Sequence, residues 1–225
     1  MNSRLAAMTA ALGLYRSLEL PQPWAPAKTR VPILIYGASS AVGAFAIKLA
    51  RLSKLHPIIA IAGRGCSYVE SLIDRMQGDV VIDYRSGREA LSKQVRTALA
   101  DVPLHSALDA ISEGESFDTI KELLAEDANV AVTLPPPGGL EDNGVHWDLV
   151  MSGDVHGVFE EKAGAREFGC VMMQAFARSM EAGMFKGHPF KVVAGGLGGI
   201  QQALEDLKAG KASAVKYVIR IEDTL

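Results

Sequence analysis

The sequence is poor in cysteine and contains no long apolar run. Its 225 residues include two cysteines, Cys66 and Cys170, and no Cys-x-x-C pair. Two cysteines are too few for a disulfide framework, which indicates an intracellular redox environment. No apolar run reaches the roughly 18 residues of a membrane span, and the N-terminal stretch lacks the A-x-A-like end of a secretory signal. We therefore expect a cytoplasmic protein with no membrane segment, and an amphipathic transit peptide stays open.

The sequence also lacks an excess of basic charge, paired metal ligands and two catalytic signatures. The formal net charge is −3, which argues against a nucleic-acid partner. None of the five tyrosines is followed by lysine four residues on, as the Tyr-x-x-x-Lys pair of short-chain dehydrogenases requires. Only the first half of the hydrolase elbow G-x-S-x-G occurs, at residues 37–41. Metal-ligand spacing is absent from the histidines, so no metal site is expected at His56, His105, His146, His156 or His188.

The most informative segment that is present runs from residue 31 to residue 43 and reads VPILIYGASSAVG. An apolar strand enters a turn of small residues, and the turn opens a helix, as in dinucleotide-binding proteins. The helix start offers free backbone N–H groups and the positive end of its dipole to a pyrophosphate. The glycine pattern is degenerate, so a purely structural turn stays the alternative. Small side chains that let the backbone approach phosphates are those of Gly37, Ala38, Ser39, Ser40 and Gly43.

Strand and helix patterns alternate along the rest of the chain, which predicts an α/β fold with a doubly wound parallel sheet. The predicted strands are continuous apolar runs, typical of a sheet that helices cover on both faces. They lie at residues 31–36, 57–62, 80–83, 106–111 and 129–134, with a further β-prone piece at 154–159. The predicted helices lie at residues 4–18, 42–54, 67–76, 87–100, 116–125, 164–183 and 198–208, and two late strands at 190–193 and 215–221.

The loop after the second strand indicates which nicotinamide cofactor fits. An NAD enzyme carries an acid there to bind the ribose 2′-hydroxyl, but this chain reads AGRGCS, and its first acid is Glu70. Arg64 could pair with a 2′-phosphate, and Ser67 could donate a hydrogen bond to it. Tyr84 could lie against the adenosine ribose. These features favour NADP(H). Two alternatives stay open: Arg64 is only a solvated loop cation, and Tyr84 is only a half-buried structural residue. Asp109, inside the fourth strand, could cap or brace the next loop, and we assign it no chemical role.

Several segments together resemble the zinc-free quinone-reductase and enoyl-reductase branch of the medium-chain dehydrogenase/reductase superfamily. The segments are YGASSAVGAFAIKLAR, IAIAGRG, GDVVIDYR, ALDAIS, GHPFKVVAGGLGGI and LKAGKASAVKYVIRI. Within that branch the chain is most similar to fungal ToxD-like oxidoreductases and trans-acting enoyl reductases. No cysteine precedes Cys66, where zinc-using relatives place a ligand, which agrees with a zinc-free member.

The resemblance implies a division of the chain and an incomplete fold. Residues 1–160 would form an NADP-binding Rossmann domain. Residues 161–225 would be the C-terminal segment that returns to complete a GroES-like catalytic domain. The N-terminal part of that catalytic domain is expected to be missing, so the C-terminal segment would belong to a truncated domain.

The resemblance also implies a set of cofactor-binding residues. Four would hold the pyrophosphate: Ser39, Ser40, Ala41 and Val42. The 2′-phosphate loop would be formed by Gly63, Arg64, Gly65 and Ser67. Tyr84 would help to bind that phosphate. Thr133 and Leu134 would contact the nicotinamide side. Val215 and Lys216 would start the C-terminal strand near the cofactor. His156 would face the substrate, with a strand-end histidine of no role as the alternative.

The expected function is NADPH-dependent reduction of an activated C=C bond, carried by an enoyl polyketide intermediate, or of a quinone, in fungal secondary metabolism. A polyketide synthase is the implied partner, and the oligomeric state stays open. Two alternatives remain. The chain is either a cofactor-binding remnant or regulatory module without turnover, or it is completed by another chain that supplies the lost domain. The last alternative predicts an exposed apolar face on the C-terminal segment.

Overall fold

A six-stranded parallel sheet forms the centre of the protein. A computed structural model describes residues 4–140, 144–156 and 164–224. The strands are β1 (Ile33–Tyr36), β2 (Ile58–Ala62), β3 (Val80–Asp83), β4 (Ser106–Asp109), β5 (Ala128–Val132) and β6 (Val145–Leu149). Their order is β3-β2-β1-β4-β5-β6, and all neighbours are parallel. This is the doubly wound arrangement whose strand order reverses beside β1, so the predicted fold class is confirmed.

Helices cover both faces of this sheet. They are α1 (Arg4–Leu12), α2 (Ala41–Leu52), α3 (Cys66–Glu70), α4 (Arg88–Leu99), α5 (Ser116–Leu123), α6 (Ala165–Glu181) and α7 (Ile200–Lys208). Within β1, Ile33 and Ile35 join a buried cluster with residues of α1, α2 and α6, while Leu34 joins the cluster of α4 and α5. Because both faces are buried, the strand is apolar at consecutive positions, as the sequence pattern predicted.

The sixth strand was not predicted and replaces the strand expected at residues 154–159. Residues 152–156 form a 3-10 helix, and residues 157–159 lie outside the described part of the chain. β6 alternates buried and exposed side chains: Val145 and Trp147 are buried, and His146 between them is exposed. An edge strand of this kind lacks the continuous apolar run that identified the inner strands. The prediction of a helix over 67–76 was also wrong, because α3 ends at Glu70.

The C-terminal part contains a small second sheet. β7 (Phe190–Val193) and β8 (Lys216–Ile219) pair in parallel, and α7 lies between them in sequence. The preceding α6 packs on the larger part of the protein, since its Met172 and Phe176 belong to the same buried cluster as α1 and α2. The division at residue 160 stays a prediction.

No helix in residues 4–140, 144–156 and 164–224 has both the length and the apolar character needed to cross a membrane.

Candidate cofactor site

The turn between β1 and α2 is built from glycine and a capping serine. Gly37 has φ +73°, a backbone conformation that side chains other than glycine rarely adopt. Ser40 is the N-cap of α2, and its Oγ accepts the backbone N–H of Gly43 at 3.0 Å. The N–H of Ala38 donates to the carbonyl of Ile61 at 2.8 Å, which ties the turn to β2. The turn is therefore fixed on both sides before any ligand arrives.

Gly43 allows α2 to lie unusually close to the turn. A Cβ atom on Gly43 would lie 2.4 Å from the carbonyl oxygen of Gly37 and 2.8 Å from the Cα of Ala38. Both are backbone atoms, so neither can swing away. Gly43 therefore plays the part of the third glycine of the dinucleotide motif, which permits close packing of helix and strand.

The first turn of α2 presents backbone donors without intrahelical acceptors. An α-helix leaves its first N–H groups unpaired, and here the Ser40 hydroxyl satisfies that of Gly43. The N–H groups of Ala41 and Val42 stay available, and the first turn carries no acidic residue. Together with the positive end of the helix dipole, these donors can bind an anion.

The loop after β2 packs against the turn and against the C-terminal segment. A Cβ on Gly65 would lie 2.4 Å from the Cβ of Ser39 and 3.2 Å from that of Ala214. A Cβ on Gly63 would lie 2.7 Å from Cε1 of Tyr84. Three predicted regions, at Ser39, at Gly63 and Gly65, and just before Val215, thus meet in space. This packing needs glycine at both loop positions.

Tyr84 and Arg64 are exposed at the edge of this group. The Tyr84 side chain is 49% exposed, and its ring stacks on that of Tyr36 with centroids 6.4 Å apart. Arg64 donates from its guanidinium to the carbonyl of Gly210, which orients it without neutralising it. Ser67 is exposed on the first turn of α3.

The acids of this region are paired with arginines of their own. Glu70 forms an ion pair with Arg75. Asp83, at the end of β3, accepts hydrogen bonds from the Arg85 guanidinium at 2.5–3.1 Å, and these bonds lower the pKa of Asp83 to about 2. Arg64 has no carboxylate within 4.0 Å in the described part of the chain. Its positive charge is therefore free to meet an anion.

Asp109 braces the loops that follow β4 and β5. Its buried carboxylate accepts the N–H groups of Ile111 and Ser112 at 2.9 and 2.8 Å and the Ser116 hydroxyl at 2.5 Å. The Ser112 Oγ in turn accepts the N–H of Thr133 at 2.8 Å. Burial raises the pKa of Asp109. The expectation that this aspartate braces a loop is confirmed, and the chain of bonds fixes the backbone at Thr133.

We expect Asp109→Asn to lower the free energy of unfolding by about 2–4 kcal/mol, because the amide nitrogen faces donors that the carboxylate oxygens accepted. Urea unfolding at neutral pH measures the change. Asp101→Asn is the matched control, since Asp101 is exposed. An Asp109→Asn variant as stable as the control would show that the bonds to Ser112 and Ser116 contribute nothing.

The C-terminal segment is tied to α2 and α3 by a second group of side chains. Lys48 of α2 donates to the carbonyls of Lys186 and Gly187 at 2.9 and 3.2 Å. His188 is buried, and its ring packs edge-on to Tyr68 with centroids 5.4 Å apart. Burial, with the charges of Lys48 and Lys216, lowers the pKa of His188 to about 4. Lys216 therefore lies close enough to His188 to act on it electrostatically.

The lowered pKa of His188 predicts a loss of stability in acid. The pKa of a histidine in the unfolded chain is near 6.5, whereas that of His188 in the folded protein is about 4. As pH falls from 6.5 towards 4, the unfolded chain therefore binds a proton at this histidine that the folded protein does not bind, and the unfolded state is favoured. Between pH 7 and pH 4.5 this difference costs about 2 kcal/mol. We expect His188→Gln to lose about that much less stability than the wild type over this range in urea unfolding. If His188→Gln and the wild type lose equal amounts of stability, His188 is not the group responsible. If the exposed control His105→Gln reduces the loss as much as His188→Gln does, the effect is likewise not specific to His188.

Two further predicted residues lie at the same edge of the sheet. Thr133 and Leu134 follow β5, two strands from β1, and Leu134 is exposed. Lys216 starts β8, Val215 directly precedes that strand, and both residues are half-buried. His156 is exposed at the end of the 3-10 helix 152–156, and its predicted role stays a prediction. No group of three His, Cys, Asp or Glu side chains with metal-site geometry occurs among the described residues.

Sequence reasoning missed the residues that hold the site together. Tyr36, Ser112 and Tyr68 each contact a predicted residue or the segment that carries one, yet none was singled out. The tyrosine at the end of β1 was visible beside the glycine turn. The others depend on contacts between distant segments, which spacing along the chain does not reveal.

No protein-family model matches the chain. Among curated proteins it is 37% identical over 194 residues to trans-enoyl reductase fsr4 of Gibberella fujikuroi, an alignment of 84% of this chain and 56% of that protein. It is 32% identical over 227 residues to trans-enoyl reductase FSL5 of Gibberella zeae, covering 95% and 61% of the two chains.

Solved structures share the fold at low sequence identity. The CurK enoyl reductase superimposes with a TM-score of 0.69 at 16% identity, over 95% of this chain and 60% of that one. CurA from Vibrio vulnificus, solved in complex with NADPH, gives a TM-score of 0.64 at 20% identity, over 93% and 60%.

The sheet order and the glycine-built turn match the fold of these solved enoyl reductases, and the chain is similar in sequence to fungal trans-enoyl reductases. Its curated relatives are fungal trans-enoyl reductases, which confirms the predicted resemblance. The chain spans 56% and 61% of the length of the two relatives compared above.

Proposed function

We propose that this chain is the cofactor-binding part of an NADPH-dependent oxidoreductase that reduces the activated C=C bond of an enoyl substrate. The observation that carries the proposal is the helix start at Ala41 and Val42: its first turn has no acid, and the turn before it packs against the loop that carries Arg64. The names of the fungal relatives, which are trans-enoyl reductases, support the substrate class.

The residues present fit a dinucleotide phosphate. Gly43 and Gly65 keep the backbone free of Cβ atoms where the turn and the loop approach each other. The N–H groups of Ala41 and Val42 would bind the pyrophosphate, together with the backbone of Ser39 and Ser40. NADPH, when bound, supplies the hydride, and the acceptor is already polarised by its carbonyl group.

We propose NADP(H) rather than NAD(H) as the cofactor. A 2′-phosphate would meet Arg64 and the hydroxyls of Ser67 and Tyr84, and the nearby acids Glu70 and Asp83 are paired with arginines. On the nicotinamide side, the backbone at Thr133 and Leu134 would orient the reacting ring, with Thr133 fixed through Ser112. Val215 and Lys216 would close the site from the C-terminal segment.

Cofactor fluorescence tests this choice directly. Titration of the wild-type chain with NADPH and with NADH should give at least tenfold tighter binding of NADPH, since a charge-assisted contact contributes about 1.5–3 kcal/mol. Equal affinities would remove the proposed 2′-phosphate site while leaving the pyrophosphate turn intact.

One observation favours a second candidate, a cofactor-binding module that needs a further domain for turnover. α7 buries only Ala203, and its apolar side chains Ile200, Leu204 and Leu207 lie on one exposed face. Phe190 of β7 is 64% exposed. This is the exposed apolar face expected if another domain or chain completes the protein. We propose that the division falls near residue 160 and that residues 161–225 provide this interface.

Steady-state NADPH oxidation separates the two candidates. The wild-type chain is assayed with a panel of enones, enoyl thioesters and quinones, with NADPH binding measured in parallel. Turnover of an enoyl thioester supports the reductase, and faster turnover of quinones would reassign the substrate. Binding without turnover supports the module, and a stable monomer in light scattering would count against completion by a second copy.

We further propose that the substrate is presented as a carrier-bound enoyl chain by a polyketide synthase in the cytoplasm. Support comes from the relatives' trans-enoyl reductase names. A carrier-bound enoyl thioester should then be reduced faster than the free thioester at equal concentration. Equal rates would show that the carrier is not recognised.

A further inference from the structure

A cavity of about 600 Å³ lies at the edge of the sheet opposite the cofactor turn. Its lining residues precede β1, β2 and β3 or lie at the C-terminal end of α2, so they gather at the N-terminal ends of the parallel strands. The cofactor turn follows the C-terminal end of β1. We call this cavity the basic pocket, and its lining consists of Ala27, Lys28, Thr29, Arg30, Arg51, Lys54, His56, Asp74 and Gln77.

Four side chains of permanent positive charge converge on the basic pocket: Lys28, Arg30, Arg51 and Lys54. None of them has a carboxylate within 4.0 Å in residues 4–140, 144–156 and 164–224. Arg51 donates to the carbonyl of Leu72 at 2.9 Å, and this bond orients its guanidinium without neutralising it. The chain as a whole has a net charge of −3, so the basic pocket concentrates positive charge on a protein whose net charge is negative.

The acids beside the pocket are engaged elsewhere. Asp74 is the one carboxylate in the lining, and its Oδ1 accepts the N–H of Met76 at 3.0 Å. The fully buried Asp79 accepts from His56 Nδ1 at 2.7 Å, from Ile58 N at 2.8 Å and from Asp74 N at 2.9 Å. Because a carboxylate can only accept, His56 carries its hydrogen on Nδ1 and is held in one orientation. Asp74 therefore offsets only part of the charge of the four cations.

Helix capping does not explain this arrangement. Arg51 lies in the last turn of α2 and Lys54 follows the helix, where cations complement the helix dipole. However, Lys28 and Arg30 precede β1 and belong to no helix. Lys54 has φ +54°, the left-handed position after a helix that glycine occupies at least cost. A lysine at this position places a fourth charge on the pocket in spite of the backbone strain.

We propose that the basic pocket binds a small polyanion that carries two or more phosphate groups, at a site separate from the cofactor turn. Its volume falls within the range of small-molecule clefts. The Arg30 and Arg51 guanidinium groups supply planar donor pairs that match phosphate oxygens, and the two lysines supply point charges. Thr29 and Gln77 add neutral donors at the same surface.

Calorimetric titration with inorganic triphosphate tests the proposal on the full 225-residue chain. The titration is run with and without saturating NADPH, so that binding at the cofactor turn is recognised by its competition. We expect one site that NADPH does not displace and that weakens as salt rises. Arg30→Gln combined with Lys54→Gln should reduce the affinity at least tenfold. The matched control, Arg178→Gln with Lys208→Gln, removes the same charges from exposed positions and should leave the affinity within twofold.

Four results would overturn the proposal. The first is the absence of triphosphate binding, and the second is triphosphate binding that NADPH abolishes, which would place the anion at the cofactor turn. The third is an equal loss of affinity in the control, which would show that the effect depends only on net charge. The fourth is binding of polyglutamate but not of triphosphate, which would indicate a site for an acidic protein surface and not for a small ligand. Circular dichroism of both double variants verifies that they are folded.

Discussion

Gly43→Ala is expected to lower the free energy of unfolding by about 2–4 kcal/mol, in the range of severe steric substitutions, and to weaken NADPH binding at least tenfold. The new Cβ would lie 2.4 Å from the carbonyl oxygen of Gly37 and 2.8 Å from the Cα of Ala38. Since both contacts are with backbone, the start of α2 must move away from β1. The N–H groups of Ala41 and Val42 would move with it, so binding and stability fall together.

The sign of this effect makes it informative. In a helix without close neighbours, alanine is more favourable than glycine by about 1 kcal/mol, so an unconstrained Gly43 would gain stability on substitution. Gly198→Ala is the matched control, because a Cβ there meets no atom within 4 Å. Urea unfolding and NADPH titration of both variants provide the comparison. A Gly43→Ala variant as stable as the control would contradict the close approach.

Arg64→Glu is expected to weaken NADPH binding about 100-fold, or about 2.7 kcal/mol, while NADH binding changes less than threefold. The substitution removes a charge-assisted partner of the 2′-phosphate and adds a repelling carboxylate. Because NADH lacks that phosphate, its affinity reports the rest of the site. Fluorescence titration with both cofactors measures the ratio.

Two controls separate this effect from the structural role of Arg64. Arg178→Glu makes the same charge change at an exposed position and should alter neither affinity. Arg64→Gln keeps a donor for the carbonyl of Gly210 and should lose less NADPH affinity than Arg64→Glu. If Arg64→Glu weakens both cofactors equally, the arginine acts by positioning the C-terminal segment and not by binding phosphate.

The sequence predicted the inner sheet well because each inner strand is buried on both faces. Ile33, Leu34 and Ile35 alternate between two clusters, so the strand reads as an unbroken apolar run. β6 was missed because it is an edge strand whose exposed His146 separates buried Val145 and Trp147. A single buried pair of this kind does not stand out from loop sequence, and its position depends on pairing with β5.

The candidate site was predictable where it is local in sequence. The turn from Gly37 to Gly43 is a contiguous strand–turn–helix unit, and its capping by Ser40 follows from residue type. The contact of Gly65 with Ser39 and Ala214 joins three distant segments, so no local pattern announces it. The bonds from Asp109 through Ser112 to Thr133 are hidden for the same reason, although the bracing role of the aspartate was expected.

The most direct test of the proposed cofactor site is a crystal structure of the chain grown with saturating NADPH. We expect the pyrophosphate within hydrogen-bonding distance of the N–H groups of Ala41 and Val42. We also expect the 2′-phosphate beside Arg64 and Tyr84. A cofactor bound elsewhere, or an empty turn in crystals whose NADPH concentration far exceeds the measured Kd, would contradict the claim that this turn is the cofactor site.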